Sequence, residues 1–253
     1  MTENTEKFNH RSENYAKARP GYAAGAAELL ASLIPADAAV ADIGCGTGIF
    51  TRELLARGYT VYGVEPNAEM RAHAEAAFAE DPAFHAVPAA AEATGLPAES
   101  LDAVTAASAF HWFDADAFFA ECRRILKPGG ILFTVCNARD YRDDFTQAQH
   151  ALYLELCPAY TSMKHGLEES VPRLERLLGP ELHKAEFDFP LTYTKENFLR
   201  RSLSSSYAPE PGTPEAERYV SGLRALLEAY YPGCDSITVP NLTAVYWGRA
   251  GRA

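Results

Sequence analysis

The stretch Ala41-Asp42-Ile43-Gly44-Cys45-Gly46-Thr47-Gly48 decides how this sequence folds. It places three glycines at alternate positions after Ala38 to Ile43, a short apolar run that suits a buried strand. Glycine permits φ > 0 and lets backbone approach a ligand where a Cβ would collide. Thr47 is expected to cap a helix that carries Phe50, Leu54 and Leu55 inward. A glycine loop at the carboxyl end of a first strand sits where open α/β sheets bind ligands. Its spacing restricts which ligand. A dinucleotide fingerprint needs a third glycine where Ile49 stands, and the Gly-Lys-Ser/Thr of a nucleotide-phosphate loop is absent. The loop is built for close approach but matches neither phosphate motif.

Working outward, Tyr59 to Val64 is a second β-rich run, and Glu65 ends it about 20 residues after the first glycine. A carboxylate there can accept both hydroxyls of a ribose, so loop and acid point to an adenosine-type ligand that need not carry a pyrophosphate. Met70, Ala74, Ala77 and Phe78 form a helical stripe, as do Phe118, Cys122, Ile125 and Leu126. Phe84 to Val87, Leu101 to Ala106 and Ile131 to Cys136 read as further strands, and Lys127-Pro128-Gly129-Gly130 stops the helix before the last of them. Repeated strand–helix units with continuous apolar strands predict an α/β fold, a doubly wound, mostly parallel sheet flanked by helices. The second half is less regular. Helices are expected over 141–157, 170–178, Lys195 to Ser205 and Glu215 to Tyr231, with a strand from His183 to Leu191. Ser236 to Trp247 is expected to close the sheet, with Pro240 confined to an edge or bulge.

Composition narrows the function. The 253 residues are 47% hydrophobic and 23% charged, ordinary globular usage that excludes a disordered chain or a coiled coil. A net charge of −11, with no basic cluster longer than Arg123-Arg124 or Arg200-Arg201, argues against a nucleic-acid partner. Cys45, Cys122, Cys136, Cys157 and Cys234 are odd in number and widely spaced, which suits neither a disulfide scaffold nor a metal site. Met1 to Ser12 lacks an apolar core, and no apolar run nears the ~20 residues of a membrane span, so a cytoplasmic chain without a membrane partner is expected.

DIGCGTG at 42–48 followed by VYGVEPNAEM at 61–70 resembles the class I S-adenosylmethionine-dependent methyltransferases. YAKARPGY at 15–22 resembles the N-terminal YxxxRPxY element of the methyltransferase type 11 group, and AAEATGLP at 90–97 its AEALP segment. ASAFHWF at 107–113 resembles the HWF signature of the trans-aconitate methyltransferase-like branch. The resemblance covers residues 8–137 and implies a class I methyltransferase Rossmann-like fold, with an N-terminal helical lid and helical additions after strand five. It implies a single domain over 1–253: a lid over 1–34, a cofactor-binding core over 35–137, a helical addition over 138–182, and the rest of the sheet and its helices over 183–253.

The same resemblance implies S-adenosylmethionine as cofactor. Asp42, Gly44, Cys45 and Gly46 would line its methionine part, Glu65 would bind the ribose, and Pro66 and Met70 would pack near the adenine. Ala90, Ala91 and Glu92 would face the adenine edge. Many relatives carry an aspartate where Ala90 stands, so here that contact falls to backbone around Ala91 and Glu92. Ala107 and Ser108 would approach the methionine amine, while Tyr15 and Arg19 would clamp its carboxylate from the lid.

His111 is the candidate base for an acceptor that starts protonated; the alternative is that the His111-Trp112 pair packs the floor of the site. Trp112 is expected as a wall of the acceptor pocket. The tyrosines of the second half read as core, with Tyr207 on a polar rim facing the acceptor. The implied reaction is methyl transfer to an O, N or C nucleophile of a small organic acceptor. The alternatives are a non-catalytic S-adenosylmethionine-binding regulator and, against the loop spacing, a dinucleotide oxidoreductase. No motif encodes the acceptor's identity or the oligomeric state.

Overall fold

The structure, a computed structural model, describes residues 20–160, 167–205 and 207–251. In chain order the elements are α1 (Ala24–Leu33), β1 (Ala39–Ile43), α2 (Ile49–Leu55), β2 (Thr60–Val64), α3 (Ala68–Ala77), β3 (Phe84–Val87) and β4 (Leu101–Ala107). There follow α4 (Ala115–Ile125), β5 (Leu126–Arg139), α5 (Asp144–Leu156), α6 (Leu167–Leu178) and β6 (His183–Asp188). The chain ends with β7 (Leu191–Thr194), α7 (Lys195–Leu203), α8 (Pro214–Tyr230), β8 (Ser236–Val239) and β9 (Asn241–Arg249). Among the described residues no helix is long and apolar enough to cross a membrane.

The chain divides into two compact units, one of Met1–Cys136, Gly166–Phe187 and Thr243–Ala253, the other of Asn137–His165 and Asp188–Leu242. The boundaries expected at 138–182 and 183–253 do not coincide with this division, because α6 belongs to the first unit. Leu174 and Leu178 of α6 are buried against the sheet.

The first unit is built on a seven-stranded sheet in the order β3-β2-β1-β4-β5-β9-β6. The pairs β1–β2, β2–β3, β1–β4 and β4–β5 are parallel, as the continuous apolar strands predicted. Alternation along each strand divides the core between the two faces. Val40, Ala103, Phe133 and Val245 meet α1 and α2 through Ala26, Leu30, Phe50 and Leu54. Ala41, Val104, Leu132 and Tyr246 meet α4 and α6 through Phe118, Cys122, Leu174 and Leu178. The strand order reverses between β1 and β4, and the loops that leave their carboxyl ends flank that reversal, where sheets of this type open a crevice.

Several expectations are corrected. Residues 24–33, expected within a lid, form a core helix, because Ala26, Ala27 and Leu30 bury one of its faces. Ala77 is exposed, and only Met70, Ala74 and Phe78 of its stripe are buried. The fifth strand begins at Leu126 directly after α4, and its register with β4 shifts across Lys127 to Gly130. Ser236 to Trp247 is two strands that part at Pro240, which has no N–H to give a ladder. Only the second, β9, joins the large sheet, and it lies between β5 and β6 rather than at an edge. His183 to Leu191 likewise divides between β6 in that sheet and β7, which pairs antiparallel with β8.

The second unit packs α5, α7, α8 and the β7–β8 ribbon around Phe145, Tyr153, Phe198, Tyr219, Leu223 and Leu227. Tyr153, Tyr160 and Tyr219 are buried, as the core reading of the tyrosines expected.

Candidate functional site

All three glycines of the loop after β1 are left-handed, with φ of 69° at Gly44, 57° at Gly46 and 84° at Gly48. Gly44 is fixed by sterics, since a Cβ there would stand 2.6 Å from that of Ala109. At Gly48 a Cβ would stand 2.4 Å from the Phe78 ring, so this glycine lets α2 and α3 approach. Gly48, not Thr47, is the N-cap of α2. The Thr47 hydroxyl caps nothing and is buried without a partner among the described residues.

The loop is tied to β2 twice. Gly44 N and Cys45 N donate to the Val64 carbonyl at 2.8 and 3.2 Å. The Glu65 carboxylate completes the tie, with Oε2 accepting from Gly46 N at 3.0 Å and Oε1 from Asn67 N at 2.8 Å. Each oxygen thus spends one lone pair on backbone and keeps acceptor capacity, the pair of acceptors that the two hydroxyls of a vicinal diol require. Glu65 is 8% exposed; burial pushes its carboxyl upward against those two backbone bonds and the Arg71 charge. Arg71 donates to the Glu65 carbonyl at 2.8 Å, and the Asn67 side chain caps α3 by accepting from Met70 N at 3.0 Å. Pro66 lies between these anchors, and Met70 is buried beside Gly46.

Asp42 is fully buried beneath the loop. Its oxygens accept from the hydroxyls of Thr51 at 2.6 Å and Thr105 at 2.9 Å, which ties β1 to α2 and β4. Burial outweighs these bonds and raises its carboxyl from the usual 3.8 to about 6. Cys45 is buried, and desolvation followed by the charges of Asp42 and Glu65 pushes its thiol well above the ordinary range, which makes it an inert wall.

Ala90 is exposed and bridged to Ala93, Ala91 is buried, and the Glu92 carboxylate accepts from Asp114 N at 2.9 Å. Glu92 therefore anchors the start of α4 with its side chain. At the end of β4, Ala107 leads into Ser108, one of two non-glycine residues with positive φ among the described residues, at 53°. Ser108 N donates to Val135 O at 2.7 Å, and its Oγ accepts from the Tyr22 hydroxyl at 3.0 Å. Backbone strain of this kind persists only where surrounding contacts impose it, and it gathers at functional sites. His111 and Trp112 follow in a single 3-10 turn, their rings 4.8 Å apart, with Trp112 40% exposed. Tyr15 and Arg19 lie outside the described residues. Tyr207 belongs to the second unit, where its ring packs on Tyr153 and Tyr160.

The loop, Glu65 and the strained turn after β4 thus occupy the carboxyl ends of adjacent strands. A family model described as a methyltransferase domain matches residues 41–134, which hold all three features. An uncharacterized methyltransferase of Geobacillus thermodenitrificans is 33% identical over 156 residues, 58% of this chain and 69% of that protein. The chain belongs to this methyltransferase family. An uncharacterized methyltransferase of Mycobacterium tuberculosis is 40% identical over 129 residues, 51% of each chain, so this chain spans about half the length of such curated relatives. The structure of a candidate type II methyltransferase from Anaeromyxobacter dehalogenans superposes with a TM-score of 0.72 at 26% identity, covering 93% of this chain and 99% of that one.

The residues that sequence reading passed over are supports. Thr51 and Thr105 hold Asp42, Asn67 holds Glu65, and Tyr22 holds Ser108. None has a sequence signal of its own. Tyr22 stood in the YxxxRPxY element, but its partner lies 86 positions away.

Proposed function

We propose that this chain binds S-adenosylmethionine and transfers its methyl group to an O, N or C nucleophile of a small organic acceptor. The observation that carries this reading is the Glu65 carboxylate, pinned by Gly46 N–H and Asn67 N–H beside a loop of three left-handed glycines. When bound, S-adenosylmethionine supplies a methyl group already activated on its sulfonium.

The chain's own task is to hold and to position. In this reading Glu65 grips the ribose hydroxyls, and Asp42, Gly44, Cys45 and Gly46 line the methionine portion. Pro66, Met70 and the backbone at Ala90, Ala91 and Glu92 flank the adenine. Ala107 and Ser108 meet the amine, with Tyr15 and Arg19 on the carboxylate. Orienting the two reactants is worth up to roughly 7–11 kcal/mol for a well-aligned pair. His111 takes a proton only from an acceptor that begins protonated; otherwise it packs with Trp112 against the acceptor. Tyr207 is assigned to the acceptor side.

The HWF turn at 111–113 and the YxxxRPxY element support placing the chain in the trans-aconitate methyltransferase-like branch. Five free thiols support a reducing, cytoplasmic setting, and the −11 charge supports a small-molecule rather than nucleic-acid acceptor. The oxidoreductase alternative is disfavoured by Ile49, which opens α2 where a dinucleotide loop needs its third glycine.

Calorimetric titration with S-adenosylhomocysteine and with NAD tests the reading. S-adenosylhomocysteine should bind and NAD should not, and Glu65→Ala should weaken the former at least about tenfold, a loss of ~1.4 kcal/mol. Unchanged affinity in Glu65→Ala would refute the ribose assignment. Tight binding without turnover over a broad acceptor panel would favour the regulatory alternative.

A further inference from the structure

The chain leaves the sheet at Ser108, and that departure sets what touches the glycine loop. Ala107 still pairs with Val135 of β5, and Ser108 N donates to the Val135 carbonyl at 2.7 Å. The backbone then passes through the left-handed Ser108, φ 53°, into the 3-10 turn at Phe110–Trp112. That turn comes to rest on the first glycine of the loop. A Cβ at Gly44 would stand 2.6 Å from that of Ala109 and 3.1 Å from the Phe113 ring. Serine gains nothing from a positive φ by itself, because its Cβ crowds the following carbonyl there. Surrounding contacts have to impose the conformation.

The Tyr22 hydroxyl is the side-chain group that reaches Ser108, donating to its Oγ at 3.0 Å across 86 positions of sequence. Which partner imposes on the other follows from how each is held. Tyr22 directly precedes Ala23, the N-cap of α1, whose N–H is fixed by the buried Thr243 hydroxyl of β9 at 2.9 Å. Just beyond, Ala26, Ala27 and Leu30 bury the helix in the core. The Tyr22 ring also meets Phe50 of α2 edge-on, with centroids 5.5 Å apart. Tyr22 is therefore placed by contacts that do not involve its hydroxyl, whereas Ser108 holds a conformation that serine disfavours. The strain of one left-handed serine and the gain from one partly buried hydrogen bond are of the same order. The bond is thus large enough to decide the geometry of the turn.

We propose that Tyr22 is a positioning residue of the cofactor site: its hydroxyl holds Ser108 left-handed, which seats Ala109 and Phe113 against Gly44. That the seated loop receives S-adenosylmethionine rests on the function proposed above; that Tyr22 sets the turn does not.

The test is a double-mutant cycle on the full chain, read by calorimetric titration with S-adenosylhomocysteine and by amide hydrogen exchange of the unliganded proteins. Tyr22→Phe keeps the ring on Phe50 and removes only the hydroxyl, and should weaken binding about three- to tenfold. Ser108→Ala removes the other half of the bond but keeps the strain, so it should lose as much. Combining the two should add less than about twofold. Glycine adopts positive φ without a Cβ penalty, so Ser108→Gly should bind at least about threefold tighter than Ser108→Ala. Tyr22→Phe added to Ser108→Gly should then cost less than about twofold, a rescue that a role in folding alone would not produce. Trp112 N and Phe113 N donate to the Ala109 and Phe110 carbonyls at 2.9 and 3.1 Å. Without ligand, Tyr22→Phe should speed exchange at these two amides at least about threefold. Wild-type affinity in Tyr22→Phe, an undiminished loss from it in the Ser108→Gly background, or Ser108→Gly binding no tighter than Ser108→Ala each overturns the proposal. Unchanged exchange at Trp112 and Phe113 overturns it whatever the ligand does. A wild-type chain that does not bind S-adenosylhomocysteine sinks the methyltransferase reading instead, so the two claims fail separately.

Discussion

Asp42 shows how much of this site is decided by a single environment. Folded, it keeps its proton up to about pH 6, whereas the unfolded chain releases it near 3.8. The folded state therefore binds more protons between those values and loses stability as pH rises through them, by about 3 kcal/mol for the full displacement. Asp42→Asn should lack this slope, so urea midpoints of wild type should fall relative to the variant from pH 4 to pH 7. Parallel curves would remove the buried-carboxylate account. Gly48 is constrained twice, by its φ of 84° and by the Phe78 ring 2.4 Å from any added Cβ. Gly48→Ala should cost roughly 2–4 kcal/mol in chemical denaturation. In a Phe78→Ala background the same change should cost only about 1–2 kcal/mol, because the clash is gone and the φ strain remains.

Elements here are joined by buried carboxylates rather than by apolar contact alone. Glu121 of α4 accepts Arg124 Nε and Nη2, each at 2.7 Å, and also Thr94 N at 2.9 Å and Thr94 Oγ1 at 2.6 Å. The helix thus holds the segment that follows β3. Arg124 first, and then Thr94, draw the Glu121 carboxyl down to about 2. Its contribution is present above the usual carboxylate range and is lost as pH falls toward 2. Glu121→Gln should cost about 2 kcal/mol at neutral pH, with the gap from wild type narrowing below about pH 4. A gap that stays constant on acidification would show that packing, not charge, carries the effect.

At the scale of the molecule, the cofactor assignments made on described residues fall in the first unit, so binding should protect that unit selectively. Hydrogen exchange with S-adenosylhomocysteine should slow at Asp42 to Gly48, Val64 to Met70 and Ser108 to Trp112. Protection confined to other segments would displace the proposed site. Two units rather than one continuous sheet with additions also explain why the second half was the harder to read. Its strands are shared between two sheets, and a β-rich run such as Ser236 to Trp247 carries no mark of which sheet claims each part.

Local sequence accounts for the first five strands and the helices between them, because apolar periodicity and glycine punctuation are properties that survive without neighbours. It also determined the pairing of a bare loop with Glu65, since both stand at strand ends. Tertiary structure alone decided that Gly48 rather than Thr47 caps α2, that Pro240 separates two sheets, and that Tyr22 meets Ser108. It alone showed that Asp42 is clasped by two threonines and that α5 buries Thr146 and Gln149. Those facts depend on which distant groups share a desolvated space, and burial and long-range partners leave no periodic trace along the chain.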